Sequence, residues 1–221
     1  MIGLVAALFT VYLGLAVACV WQWGTPSPAS RIDLFSGGFF EAGPLWIAEY
    51  LFFLRGIGRS KEVQAEATGA TFDPSTLTWM SVLPLLELAV FLDYGHWRLT
   101  PWLERPALQG LGLLLWVATP GWLLWADRHL GRHFASAEVR QHVLTGGPFR
   151  LVRHPRYAGL LASRAGFAFV FASALAWALF VLWVWVVLRR VGREERHLRE
   201  TFGDAYAAYA ARTPRLIPGV Y

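Results

Sequence analysis

One cysteine, Cys19, stands in the 221 residues, and it lies inside an apolar run. That excludes a disulfide framework or a cysteine-based metal site within one chain. Charge is scarce as well. Only 16% of residues are charged, against about 25% in soluble domains, too few to cover a globule of this size. Lysine is nearly missing, with arginine ahead 19 to 1, a composition that fits a GC-rich bacterium. The chain has no internal repeat, no low-complexity tract and no separate soluble domain. The N-terminal run from Ile2 to Trp23 has no basic leader and exceeds the roughly 7–15 apolar residues of a signal peptide, so it reads as a retained span.

What is present in excess is apolar surface: 56% hydrophobic residues, including 12 Trp. The solvent that suits it is lipid. The length allows one domain or one helix bundle. A net charge of +5 raises the question of nucleic acid, but the basic residues form no stripe with interleaved polar groups, so no nucleic-acid partner is expected. Instead, 13 of the 20 basic residues fall in Ala126–Arg156 and Arg189–Tyr221. Basic residues flanking apolar spans mark the cytoplasmic face.

A span needs about 20 apolar residues. Ile2–Trp23, Phe39–Leu54, Leu77–Tyr94 and Leu108–Ala126 are the candidates, the second short and carrying Glu41 and Glu49. Pro120-Gly121 predicts a kink in the fourth. The block Tyr157–Leu188 holds 32 residues, a helix of about 48 Å at 1.5 Å per residue. That is too long for one crossing of about 30 Å and too short for two full ones. A tight helical hairpin turning near Ala172–Ala174 satisfies both limits and returns both Arg-rich ends to one side. The expected fold is therefore all-α: a polytopic membrane bundle of about 5–6 spans, with a short C-terminal hairpin and a cytosolic C-terminal helix. Counting back from a cytosolic Ala126–Arg156 puts Met1 inside. The expected division is 1–38 as an extra N-terminal helix and loop, and 39–221 as the main domain.

Two segments meet at the mouth of that hairpin. Before it runs Gln141-His142-Val143-Leu144, then Gly146-Gly147-Pro148-Phe149, then Arg153-His154-Pro155-Arg156-Tyr157. After it run Arg189-Arg190 and Glu194-Glu195, then a polar helix to Arg212. Gly146-Gly147-Pro148 cannot continue a helix, and its backbone amides are available to a small polar ligand. His154 and Tyr157 are three apart and share a helical face. A helix N-terminus there favours an anion such as a carboxylate or phosphate. On spacing alone, contact with lipid headgroups is the simpler explanation of the basic cluster.

The string GPFRLVRHPRYAG, followed across the short hairpin by REERHLRETFGDAYAAYAARTPRLIP, resembles the isoprenylcysteine carboxyl methyltransferase family, which belongs with the phospholipid N-methyltransferases. The resemblance is loose over 46–221 and close over 141–218. It implies an integral membrane methyltransferase that uses S-adenosylmethionine, with the cofactor region in 141–221. By the same resemblance the cofactor is held by Gln141, His142, Val143, Leu144, Phe149, Arg153, His154, Pro155, Arg156, Tyr157, Glu194 and Glu195. Glu194 is expected to meet the cofactor's ammonium group, and Arg190 to orient the acceptor. Gln141 replaces a His usual in the family, Val143-Leu144 inverts a Leu-Val pair, and Phe149 replaces a Tyr. The first 38 residues add a span to the usual core.

Arg164 lies seven residues past Tyr157 on about the same face. An ionisable residue inside a span is costly and is a functional candidate by default. It is expected either to neutralise an anionic group of the acceptor or to snorkel to the headgroups. His129 and His133 have metal-ligand spacing, but no third ligand follows, and a solvated helix face is the better reading; no metal is expected. Glu49 and Glu87 are expected to face the bundle interior. The acceptor is expected to be lipid-soluble or amphiphilic, carrying a carboxylate, amine or thiol. The setting is an inner membrane with the site on the cytoplasmic side. The competing readings are a sterol-reductase-like NADPH oxidoreductase, for which no additional phosphate-binding cluster is evident, and a non-enzymatic membrane scaffold that retains the fold.

Overall fold

The computed structural model describes residues 79, 82–83, 86–87, 89–90, 93, 99–103, 105–134 and 142–219. The expected spans Ile2–Trp23 and Phe39–Leu54, the division at residue 38, Glu49 and Gln141 all lie outside them. Among the described residues every regular element is helical, and none is a strand. Three long helices carry the fold: α1 (Pro106–Phe134), α2 (Pro155–Phe171) and α3 (Ala174–Ala210). Helical residues between 79 and 90 supply a further wall. Among the described residues two helices, Pro106–Leu130 within α1 and Ala174–Ala210, are long and apolar enough to cross a membrane.

α1 runs to Phe134, past the expected end at Ala126. Pro120 sits inside it without ending it. The amide that proline lacks would have met the Trp116 carbonyl, four residues back; one residue before it, the Thr119 hydroxyl donates to the Leu115 carbonyl at 2.9 Å. α1 and α2 run antiparallel at very close range. A Cβ on Gly112 would lie 2.8 Å from the Gly166 carbonyl, and one on Gly166 would lie 2.8 Å from the Gly112 carbonyl. Small residues at a crossing let two backbones touch, which is how helices associate where lipid supplies no hydrophobic driving force.

α2 has 17 residues, about 25 Å at 1.5 Å per residue. It stops because Ala172 adopts a left-handed conformation (φ 46). Ser173 then caps α3, its Oγ accepting from Ala176 N at 3.0 Å. A hydroxyl there satisfies one of the orphan amides of a new helix. The chain therefore reverses at Ala172–Ser173, where the length of the apolar block predicts a turn. At this tip Ala174 N donates to Thr100 Oγ1 at 2.9 Å.

The α2–α3 seam is layered. Arg190 lies over the Tyr157 ring and Arg164 over the Trp183 ring, each with its guanidinium carbon 5.7 Å from the centroid. Tyr157 and Arg164 are seven apart on α2, as Trp183 and Arg190 are on α3. Two turns separate the polar layers, about 10 Å along the axis. Leu160, Val186 and Val187 fill the interval, in a buried cluster with Leu83, Trp183, Val191 and Leu216. Past Leu188 the helix becomes polar, and at Gly203 (φ 50, ψ −126) it breaks, a conformation that a Cβ disfavours. The break directs 204–216 back over the start of α2.

Candidate functional site

The turn that opens the site is built by its prolines. Pro148 stands in the first turn of a short 3-10 segment, Gly147–Arg150. Pro155 begins α2 with His154 as its N-cap. Proline suits the first helical position because the amide it lacks would have no partner there. Trp122 of α1 donates Nε1–H to the Pro155 carbonyl at 2.7 Å. Arg156 pairs with Asp127 of α1 at 2.8 Å. The start of α2 is thus fastened to α1 on one side.

On its other side it meets α3. Tyr157 donates its hydroxyl to Glu194 Oε1 at 2.5 Å, and Arg190 Nε donates to both the Tyr157 hydroxyl and Glu194 Oε1, the latter at 3.1 Å. His154 stands between two carboxylates. Its Nδ1 is 3.8 Å from Glu194 Oε2 and its Nε2 is 3.4 Å from Glu195 Oε1. The His154 and Tyr157 rings are 5.9 Å apart. The two segments that the hairpin brings to one side therefore touch through Arg153, His154, Tyr157, Arg190, Glu194 and Glu195.

The adjacent glutamates have different lives. The Glu194 side chain is 29% exposed and Glu195 only 3%. Glu195 Oε1 accepts from Arg153 Nε at 2.9 Å and Oε2 from Arg215 Nε at 3.0 Å. Burial pushes its pKa up, but the nearby His154 ring, the hydrogen bonds of Arg215 and Arg153 and the charge of Arg153 outweigh that and bring it down to about 2. Tyr206, packed nearby, is pushed up to about 12 by burial and by the Glu195 charge. Glu195 is a saturated structural anion; Glu194 is the carboxylate open to a ligand.

Arg153 does more than neutralise Glu195. Its Nη1 donates to the carbonyls of Ala210 at 2.7 Å and Thr213 at 2.6 Å. Its backbone N–H donates to Pro214 O, and that of His154 to Arg215 O, at 2.8 and 3.0 Å. Tyr209 donates its hydroxyl to Phe149 O at 2.6 Å. The C-terminal segment is thereby folded onto the turn. Among the described residues, the backbone amides of Arg153 and His154 at the start of α2 are taken by carbonyls of that segment.

Of the remaining predicted site residues, His142 is exposed, and Val143, Leu144 and Phe149 are half-buried. Gln141 lies outside the described residues. Arg164 departs from expectation. It neither snorkels nor stands ready for an acceptor anion: it is 5% exposed and pairs at 2.7 Å with Glu87, which is 1% exposed. Glu87 also accepts from Trp183 Nε1 at 2.9 Å. Burial without a partner would be prohibitive for either charge, so the bundle supplies the counter-charge itself. Glu87 faces the interior, as expected. His129 is not on a fully solvated face; its ring packs against Gly147, where a Cβ would fall 2.5 Å from Cε1. Among the described residues no cluster of His, Cys, Asp and Glu is arranged to hold a metal.

Sequence reasoning misses Arg215 and the Glu87–Arg164 pairing. The only signal for Arg215 was its place in the Arg-rich tail, and Glu87 and Arg164 are 77 residues apart.

Residues 107–205 match the family model described as phospholipid methyltransferase. The chain is 31% identical over 84 residues to protein-S-isoprenylcysteine O-methyltransferase B of Arabidopsis thaliana, 38% of this chain and 43% of that enzyme. It is 29% identical over 171 residues to methanethiol S-methyltransferase 2 of Bradyrhizobium diazoefficiens, 69% of this chain and 64% of that one. It is also 30% identical over 148 residues to the cobalt-zinc-cadmium resistance protein CzcN of Cupriavidus metallidurans, 63% of this chain and 62% of that one. In each case less than two thirds of the relative's length is spanned. No solved structure matches the chain.

Proposed function

We propose, on the premise that 107–205 is a phospholipid methyltransferase family segment, that this chain is an integral membrane S-adenosylmethionine-dependent methyltransferase. It acts on a lipophilic or small amphiphilic acceptor from the cytoplasmic side of a bacterial inner membrane. The observation that carries this reading is the junction of Tyr157, Arg190 and Glu194, with His154 beneath it.

The residues suit the donor. The ammonium of an amino-acid moiety needs an anion, and Glu194 offers one at a partly open position. His154 adds a buried Nε2 with no hydrogen bond of good geometry, a group whose donor or acceptor capacity a ligand can complete. In this reading Phe149, Arg153, Pro155, Arg156 and Tyr157 shape the pocket wall, with Gln141, His142, Val143 and Leu144 along its rim. Glu195 supports it from behind, and Arg164, balanced by Glu87, holds the hairpin against its neighbour.

When bound, S-adenosylmethionine supplies a methyl group on a sulfonium, with its own leaving group. The chain has little covalent work to do. Arg190 orients the acceptor and Glu194 anchors the donor, and alignment of this kind contributes up to about 7–11 kcal/mol. The apolar layer of Leu160, Val186 and Val187 keeps water from the seam. Glu195, held near 2 and saturated by cations, is a poor base at neutral pH. That favours an acceptor already ionised, such as a carboxylate, or one that deprotonates readily, such as a thiol.

The test is methyl transfer from radiolabelled donor to four acceptors: a prenylcysteine, a phosphatidylethanolamine, a small thiol and a fatty acid. Turnover of at least one that is abolished by Glu194→Gln supports the reading. NADPH oxidation instead of methyl transfer, or neither activity with any acceptor, contradicts it.

A further inference from the structure

Arg215 grips His154 from two directions. Its carbonyl accepts the His154 backbone N–H at 3.0 Å. Its guanidinium binds Glu195 Oε2 through Nε at 3.0 Å and Nη2 at 2.9 Å. The other oxygen of Glu195 takes Arg153 and stands 3.4 Å from His154 Nε2. Arg215 itself is 34% exposed, and an ordinary surface ion pair contributes little. This one differs because its partner is 3% exposed and divides its two oxygens between two arginines. A planar fork suits that task, and a lysine ammonium would not reproduce it.

The consequence reaches the open carboxylate. Glu195 and Glu194 are neighbours on α3, and His154 spans both. If Glu195 loses the Arg215 fork, one of its oxygens is released, and the Arg153 and His154 groups on the other can follow it. His154 then no longer has a fixed position under Glu194.

We propose that Arg215 is a positioning residue of the methyl-donor site: through Glu195 and its own carbonyl it fixes His154, and with it the surface that receives the donor. This rests on the functional reading given above, which none of Arg215's own contacts requires. It also gives the C-terminal segment a task, as the outer clamp of the pocket.

The experiment uses the full chain, purified in detergent, with S-adenosylmethionine as the probe. Binding is measured by calorimetry, and steady-state kinetics with whichever acceptor supports turnover. Arg215→Ala raises Kd and KM for S-adenosylmethionine by about tenfold, the loss of one charge-assisted hydrogen-bonding group, while the acceptor KM and the kcat at saturating donor stay within about twofold. Arg215→Lys falls between wild type and alanine. Glu195→Gln combined with Arg215→Ala binds no more weakly than Glu195→Gln alone, because the two act on one path.

Unchanged donor affinity in Arg215→Ala overturns the proposal and leaves the functional reading standing. So does an equal rise in donor and acceptor KM, which marks general loosening. If Arg215→Ala does not elute as a folded species, Arg215→Lys decides: a rise of threefold or more in donor KM at the wild-type unfolding temperature supports the clamp, and a wild-type KM overturns it. A wild-type protein that binds no S-adenosylmethionine sinks the functional reading first, and this proposal with it.

Discussion

Arg164 and Glu87 form a 2.7 Å ion pair, with both side chains buried and Trp183 donating to the other oxygen of the carboxylate. It is the deeper of the two polar layers on the α2–α3 seam. It ties helical residue 87 to the hairpin, and it closes the charge account of a residue that the sequence presents as an unexplained cation inside a span.

Removing one partner of such a pair leaves an uncompensated buried charge, a cost of about 3–5 kcal/mol. Glu87→Gln and Arg164→Leu should each lower the unfolding temperature in detergent clearly. The double variant Glu87→Leu with Arg164→Leu should recover much of that loss. If the double variant loses the sum of the two singles, the pair is not the unit that the geometry describes.

The upper layer predicts a different phenotype. Tyr157→Phe removes the hydroxyl that links Arg190 to Glu194. Each charge-assisted hydrogen bond is worth about 1.5–3 kcal/mol. Donor affinity should therefore fall at least several-fold in Tyr157→Phe and more in Glu194→Gln, and the unfolding temperature should fall as well, because the lost bonds join α2 to α3. Calorimetry of the two variants beside wild type checks the order.

Glu195 predicts an acid-labile clamp. Its pKa in the folded chain is about 2, below its ordinary 4.5. A depressed carboxylate contributes stability that is complete above the ordinary value and is lost as pH falls through the folded one. The contribution is on the order of 3 kcal/mol and should disappear between about pH 4.5 and 2. Unfolding midpoints measured across that window should fall in wild type and vary much less in Glu195→Gln.

The α1–α2 crossing is testable with a methyl group. Gly166→Ala would place a Cβ 2.8 Å from the Gly112 carbonyl and 2.9 Å from Trp116 N, and neither backbone atom can give way alone. Gly110→Ala meets nothing within 4 Å and should stabilise slightly, by up to about 1 kcal/mol. Thermal unfolding of the pair should move in opposite directions.

How much of this was legible in the sequence depends on the range of the interaction. The reversal at Ala172–Ser173 follows from arithmetic: a 32-residue apolar block is too long for one crossing and too short for two. The meeting of Arg153, His154 and Tyr157 with Arg190, Glu194 and Glu195 follows from that reversal and from the family motifs. The division of labour between Glu194 and Glu195 does not, because adjacent residues on a helix look alike until their partners are known. Arg215 and the Glu87–Arg164 pair were illegible for a related reason. Each joins elements whose relative placement is set by packing, and nothing in local periodicity reports which distant charge will be the partner. The reach of α1 past Ala126 was missed because the sequence marks where apolarity ends, while the helix continues as a polar one to Phe134.

The central claim is that the junction of Tyr157, Arg190 and Glu194 over His154 receives a methyl donor. Equilibrium binding of S-adenosylmethionine to the purified chain tests it most directly, with Glu194→Gln and His154→Ala as matched variants. The account predicts saturable binding to wild type that both substitutions weaken by about tenfold or more. Absence of binding to wild type, or binding that neither substitution changes, would contradict it.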